Sequence, residues 1–305
     1  MYQKSEITVQ SRVDGLNLSV LMLLPDEGDS CKGVVQMLHG MSEHKERYLP
    51  LMEFLAEQGY ASVIHDHRGH GKSVKSPRGL GFMYEAGMDG FMDDVLLINE
   101  LAHEKAADLP VIVFGHSMGS LAARVFLREH DDCMDKMIVS GPPCKNSVVD
   151  MGILLAKLQK NFRGSRSVGK LLEKMSIGVY RKAFANESKC AWLCTDPAVV
   201  EAYETDPLCG FTFTADAYLV LLNLLKYTYL EKGWKCTNPN MPILYLGGAN
   251  DPCIDGKTNF DEEMMVLKRA GYNQVTGKMY EGMRHEICNE KEKEKVYEDI
   301  VKFLE

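Results

Sequence analysis

The sequence predicts an α/β fold class, a mostly parallel sheet covered by helices on both faces. Three observations predict it. Short apolar runs alternate with amphipathic helical patterns along most of the chain, as parallel strands joined by crossover helices require. One apolar run, Val111-Ile-Val-Phe114, passes through Gly115-His116-Ser117-Met118-Gly119 straight into a helical pattern, a strand turned sharply into a helix. The alternation then stops between about residues 141 and 240, where only helical patterns occur.

The elements follow in order. Ile7-Thr-Val9 and Leu16-Asn-Leu18-Ser-Val20 alternate around Asp14-Gly15, a hairpin signal. Gly33-Val-Val-Gln-Met-Leu38 is an apolar strand closed by His39-Gly40. Residues 48–58 form a helix with Leu49, Met52, Phe54 and Leu55 on one side and Gly59 as its stop. Strand 61–66 and helix 91–104 precede the Ser117 unit, and residues 136–140 form the next strand. Beyond the break come a strand at 242–246, a helix at 258–270, a short strand at 275–280 and a closing helix at 291–304. Within the break, helical patterns cover 151–158, 168–180, 197–203 and 214–230. The last is apolar nearly all round and needs more than one burying face. The division expected is a core of residues 1–141 and 241–305 with a helical cap of residues 142–240.

Composition narrows the function. A chain of 305 residues buries a large core, with 45% hydrophobic and 26% charged residues as in ordinary globular proteins. A net charge of −8 argues against a nucleic-acid partner and against strong adhesion to anionic lipid, leaving at most transient membrane-surface contact. Nine scattered cysteines and a polar start, Met1-Tyr-Gln-Lys-Ser-Glu6, fit reduced thiols in a cytoplasm. Cys190 and Cys194 have the spacing of a metal pair but no second Cys/His pair beside them, so no metal is expected. Gly69 and Gly71 lack the continuation into a helix that a nucleotide loop needs, and no cofactor is expected.

The chemistry centres on Ser117. A serine in that turn is held in a strained backbone with its hydroxyl exposed at the top of a sheet, and Gly115 and Gly119 avoid collision with the crossing strand or helix. A serine hydroxyl needs a base, and the base needs an orienting acid. The chain order for this turn is Ser, then Asp or Glu, then His. Asp251, after the strand at 242–246, and His285, after the last strand, fill it, with Asp255 competing for the acid role. The oxyanion donors expected are the backbone N–H groups of Met118 and of Met41, in the loop His39-Gly40-Met41-Ser42-Glu43-His44. His39, His44, His65, His67, His70 and His116 are read as loop-structuring hydrogen-bond partners.

These motifs, with Asp66-His67-Arg68-Gly69-His70-Gly71-Lys72-Ser73, Ala249-Asn250-Asp251 and His285-Glu286, resemble the monoacylglycerol lipase and lysophospholipase branch of the α/β-hydrolase family, often grouped with serine-aminopeptidase-like hydrolases. The resemblance implies an eight-stranded, mostly parallel sheet, no cofactor, and hydrolysis of small-molecule acyl esters through an acyl-serine intermediate. Two other classes stand beside it: aminopeptidase or short-chain esterase activity on the same triad, with Glu201, Glu204 and Asp206 available for a substrate ammonium, and a ligand-binding module without turnover. Oligomeric state is left open.

Overall fold

The computed structural model describes residues 2–25, 31–106 and 108–305. Eight strands form one sheet: β1 (Tyr2–Gln10), β2 (Asn17–Pro25), β3 (Gly33–Leu38), β4 (Tyr60–His65), β5 (Val111–His116), β6 (Lys136–Ser140), β7 (Ile243–Gly248) and β8 (Val275–Tyr280). Their order is β1-β2-β4-β3-β5-β6-β7-β8. β2 runs antiparallel to both β1 and β4, and the remaining pairs are parallel. β1 sits at the edge and alternates between exposed and half-buried positions, whereas β3, β4 and β5 are buried throughout. That burial on both faces explains why their sequences are nearly unbroken apolar runs.

The faces are visible in β5. Ile112 and Phe114 pack with α1 (Leu49–Glu57) and α10 (Lys293–Leu304), through Leu51, Leu55, Tyr297 and Ile300. Val113 points the other way, towards α2 (Gly87–Ala106), α3 (Met118–His130) and α9 (Lys257–Ala270), through Phe91, Leu121 and Phe260. β3 leads to β4 on one side, while β5 lies on its other side. The strand order therefore reverses between β3 and β5, where ligands gather outside the carboxyl ends of open α/β sheets.

Between β6 and β7 the chain builds α4 (Val149–Arg163), α5 (Lys170–Met175), α6 (Ile177–Ala183), α7 (Pro197–Thr205) and α8 (Ala215–Thr228). The single helix expected over residues 168–180 is broken at Ser176, whose φ of −105° and ψ of −92° leave the helical region. Its hydroxyl donates to the Leu172 carbonyl at 2.8 Å, a local bond that competes with helix continuation. α8 is capped by Thr214, whose side chain accepts from Ala217 N–H, and it packs against α2, α3 and α4. Three neighbouring helices account for its apolar circumference. No helix of the described residues is long and apolar enough to cross a membrane.

Candidate active site

Ser117 joins β5 to α3 with φ +52° and ψ −117°. Such a backbone costs on the order of 1–3 kcal/mol in a non-glycine residue and persists only where its surroundings fix it. They do so here. A Cβ on Gly119 would meet the backbone of Leu38 and His39, and one on Gly115 would meet the backbone of Gly119. Only glycine lets α3 begin this close to β3. Ser117 N–H donates to the Ser140 carbonyl at 3.0 Å, which ties the turn to the end of β6.

The loop after β3 passes beside Ser117. The position of a Cβ on Gly40 lies 3.3 Å from the Ser117 Cβ. The loop is pinned on both sides of Met41. Gly40 N–H donates to the Glu43 carboxylate. Ser42, at φ +58°, donates its hydroxyl to the Phe211 carbonyl at 2.7 Å, and its own carbonyl accepts from Gly210 N–H at 2.9 Å. Among the described residues the Met41 N–H has no protein acceptor. Met118 is the first residue of α3, so its N–H has no carbonyl one turn back to receive it. Both residues proposed from sequence as oxyanion donors thus lie in segments packed beside Ser117.

His285 follows β8 and Asp251 follows β7. The His285 Nδ1 and an Asp251 carboxylate oxygen are 2.8 Å apart, and both side chains are buried. The other carboxylate oxygen accepts from Cys253 N–H at 2.8 Å. Burial is the largest influence on His285 and depresses its pKa, but the charge of Asp251, the neighbouring Cys253 sulfur and the hydrogen bonds to both together hold the imidazole well above its usual value. The Cys253 thiol beside it is pushed up by burial to about 11 and carries no charge at neutral pH. The imidazole ring packs on two others, His116 at 4.8 Å and Trp192 at 5.0 Å between centroids. A Cβ on Gly141 would stand 3.2 Å from His285 Cε1.

The structure separates the two acid candidates. Asp255 is exposed, at φ +54°, in the turn before α9. Of the carboxylates considered for an ammonium, Glu204 accepts from Cys190 N–H at 2.7 Å, Asp206 lies 2.9 Å from His44 Nε2, and Glu201 is exposed. Cys190 and Cys194 sit in a small apolar cluster with Trp192, Leu193 and Tyr203.

The histidines divide into two kinds. His39, His65, His67 and His70 are buried together, and burial lowers all four, His39 to about 4 and His65 and His70 to about 3. They are neutral at pH 7 and act structurally: His39 Nε2 accepts from His67 N–H at 2.9 Å. His44 is different. Burial disfavours its charge, yet Cys209, Glu46 and Asp206 raise it to about 11, so it is an imidazolium clamped between carboxylates. Two groups of side chains among the described residues have metal-ligand spacing, His44 with Asp206 and Cys209, and Asp251 with Cys253 and His285. His44 meets carboxylates through both ring nitrogens, and His285 meets Asp251 through Nδ1.

Several contacts escaped the sequence reading. Arg47 joins Glu43 at 2.6 Å to Glu286 at 2.7 and 2.6 Å, linking the loop after β3 to the loop of His285. Burial works against the Glu43 charge, but Arg47, His116, His39 and the Tyr48 hydroxyl together override it and lower the carboxyl to about 2. Glu43 and Glu286 both lie in the motifs quoted above, which was a usable signal. Trp192 had none.

A family model described as Serine aminopeptidase, S33 (Hydrolase_4) matches residues 29–292. The chain belongs to this α/β-hydrolase family. Curated relatives include a monoacylglycerol lipase of Mycolicibacterium smegmatis, 25% identical over 273 residues, covering 90% of this chain and 88% of the relative. A monoglyceride lipase of Mus musculus is 26% identical over 263 residues, covering 85% and 77%. The phospholipase YtpA of Bacillus subtilis is 25% identical over 275 residues, covering 89% and 94%. In fold, the chain is similar to a thermostable carboxyl esterase from Bacillus coagulans crystallised with glycerol, at a TM-score of 0.89, 24% identity, and coverage of 100% and 98%. The α/β-hydrolase fold, with its eight-stranded, mostly parallel sheet, is thereby the one the motifs implied.

Proposed function

We propose that this Hydrolase_4 member is a serine carboxylic-ester hydrolase that works through an acyl-enzyme, with monoacylglycerol- or lysophospholipid-like esters as substrates. The observation that carries the reading is the buried Asp251–His285 hydrogen bond of 2.8 Å at the same sheet end as the strained Ser117. The curated relatives named as monoacylglycerol lipase, monoglyceride lipase and phospholipase support the substrate class.

In this mechanism neutral His285 accepts the Ser117 proton at Nε2 while Asp251 holds the ring through Nδ1. The serine oxygen attacks the ester carbonyl, and the N–H groups of Met41 and Met118 bind the oxyanion. His285 then protonates the departing alcohol, and the same base activates water to release the acid. Residues 142–240 act as a cap that meets the base through Trp192, on which Tyr180 of α6 packs at 5.3 Å. Glu204 and Asp206 are already engaged with Cys190 and His44, so nothing favours an ammonium site.

The test is kcat/KM across esters from acetate to palmitate. Each methylene buried under the cap adds about 0.8 kcal/mol, so the ratio rises roughly fourfold per carbon until the site is full. A maximum at acetate followed by steady decline would remove the lipase-like reading.

A further inference from the structure

Trp192 is buried beside the catalytic base, and its indole N–H has no acceptor. The side chain is 7% exposed, and among the described residues its Nε1 finds no hydrogen-bond partner. Buried polar groups of native proteins are nearly always paired, so an orphaned donor calls for an explanation. Its place supplies one, since the ring lies 5.0 Å from that of His285 between centroids.

The donor is held there. The Arg284 guanidinium donates to the Glu187 carboxylate at 2.9 Å and to the Ala191 carbonyl at 2.6 Å. Glu286 N–H donates to the Leu193 carbonyl at 2.7 Å. The Glu290 carboxylate accepts from Arg284 N–H at 2.8 Å and from Thr195 N–H at 3.0 Å. Residues 187–195 are thus bonded to the His285 loop on both sides of Trp192, and the indole keeps its place against the base. A donor fixed in advance meets an acceptor without a further ordering cost.

We propose that the Trp192 N–H is a specificity-determining donor to the alcohol half of the ester, selecting an alcohol that carries a neutral hydroxyl beside the ester oxygen. This rests on the ester-hydrolase reading. In that reaction His285 hands its proton to the departing alcohol, so a group packed on its ring borders the alcohol, while Met41 and Met118 face the carbonyl oxygen. A plain alkyl alcohol seated against the base leaves the N–H unpaired, whereas a hydroxyl oxygen pairs it. Charge disfavours a phosphate in the same place. Asp251, Glu43, Glu187, Glu286 and Glu290 stand about the base against the guanidinium groups of Arg47 and Arg284, and both of these are already engaged with carboxylates. Like charges brought together in a partly buried site repel with little screening. The site therefore favours a monoacylglycerol-like ester over a lysophospholipid-like one.

The test compares octanoate esters of glycerol, propanol and glycerol phosphate in wild type and in Trp192→Phe, which keeps an aromatic face on His285 and removes the donor. Leaving a buried donor unpaired costs a factor of roughly 5 to 150, so wild-type kcat/KM for the glyceryl ester exceeds that for the propyl ester by that order. Trp192→Phe lowers the glyceryl value far more than the propyl value and brings their ratio near one. An equal fall for both esters, as lost packing on the base would give, overturns the proposal. So does an unchanged ratio, or a wild-type preference for the phosphate ester. Binding is read separately in Trp234→Phe, which leaves Trp192 as the sole tryptophan. An uncleavable octyl glyceryl ether shifts its emission to the red and octyl propyl ether does not; identical spectra overturn the proposal even where Trp192→Phe fails to fold. If no ester is cleaved while the glyceryl ether still shifts the emission, the hydrolase reading falls and the hydroxyl contact stands.

Discussion

Replacing Asp251 with Asn changes one atom in a buried site and leaves its shape almost intact. In the native site one carboxylate oxygen accepts from Cys253 N–H and the other from His285 Nδ1–H, each at 2.8 Å. An Asn amide has one acceptor oxygen and one NH₂. With the oxygen kept on Cys253 N–H, the NH₂ faces His285, so Nδ1 must accept and the ring proton moves to Nε2. In the proposed mechanism that is the nitrogen that takes the Ser117 proton. The flipped amide restores the useful tautomer but sets two donors against each other at Cys253. A buried unsatisfied donor costs about 1–3 kcal/mol, which disfavours the flip by a factor of roughly 5 to 150. Loss of the charge that stabilises the imidazolium adds to this. The expected fall in kcat is up to about 10⁴, or some 5.4 kcal/mol of barrier. Steady-state kcat on a soluble ester, normalised by fluorophosphonate titration, measures it. Asp255→Asn, at an exposed turn, is the control and should stay within about twofold of wild type, as surface changes do. A folded Asp251→Asn variant that keeps more than about a tenth of wild-type kcat would refute the reasoning, because the tautomer argument would then have no consequence.

Three further outcomes are expected. Ser117→Ala should lose on the order of 10⁶ in kcat and all fluorophosphonate labelling while keeping its fold, and labelling of another residue would reassign the nucleophile. Only neutral His285 can act as base, and its pKa lies above 6.5, so kcat/KM should rise with pH through an apparent pKa above that value. That limb should move to lower pH in Asp251→Asn, and EDTA should change neither profile; a limb that stays put would free the base from Asp251. The His44 charge is favoured by folding, with a folded pKa of about 11. Its contribution to stability is therefore complete below about pH 6.5 and is lost as pH rises through about 11. The melting-temperature gap between wild type and His44→Gln should narrow over that window, and a constant gap would place His44 outside the ion cluster.

The chain itself determined whatever depends on short-range pattern. Apolar runs and their spacing fixed the strand and helix order, because a strand buried on both faces has few polar options. Gly115-His116-Ser117-Met118-Gly119 announced the turn, since the two glycines stand where any Cβ would strike backbone. The order of Ser117, Asp251 and His285 narrowed the site to a few residues. Tertiary structure decided the rest. Only the fold shows that of two nearby carboxylates it is Asp251 that turns inward onto His285, while Asp255 stays exposed. Trp192 against His285, and Arg47 between Glu43 and Glu286, join residues far apart in sequence whose meeting depends on how the loops close. The break at Ser176 reflects a hydroxyl bonding its own backbone where the apolar pattern alone continued the helix. Net charge gave one number, −8, while the fold gathered Lys and Arg of residues 145–182 on helices that also expose apolar side chains. A sum over the chain carries no positions, and electrostatic attraction at a surface acts over about a Debye length, so only the folded arrangement says what charge a partner meets.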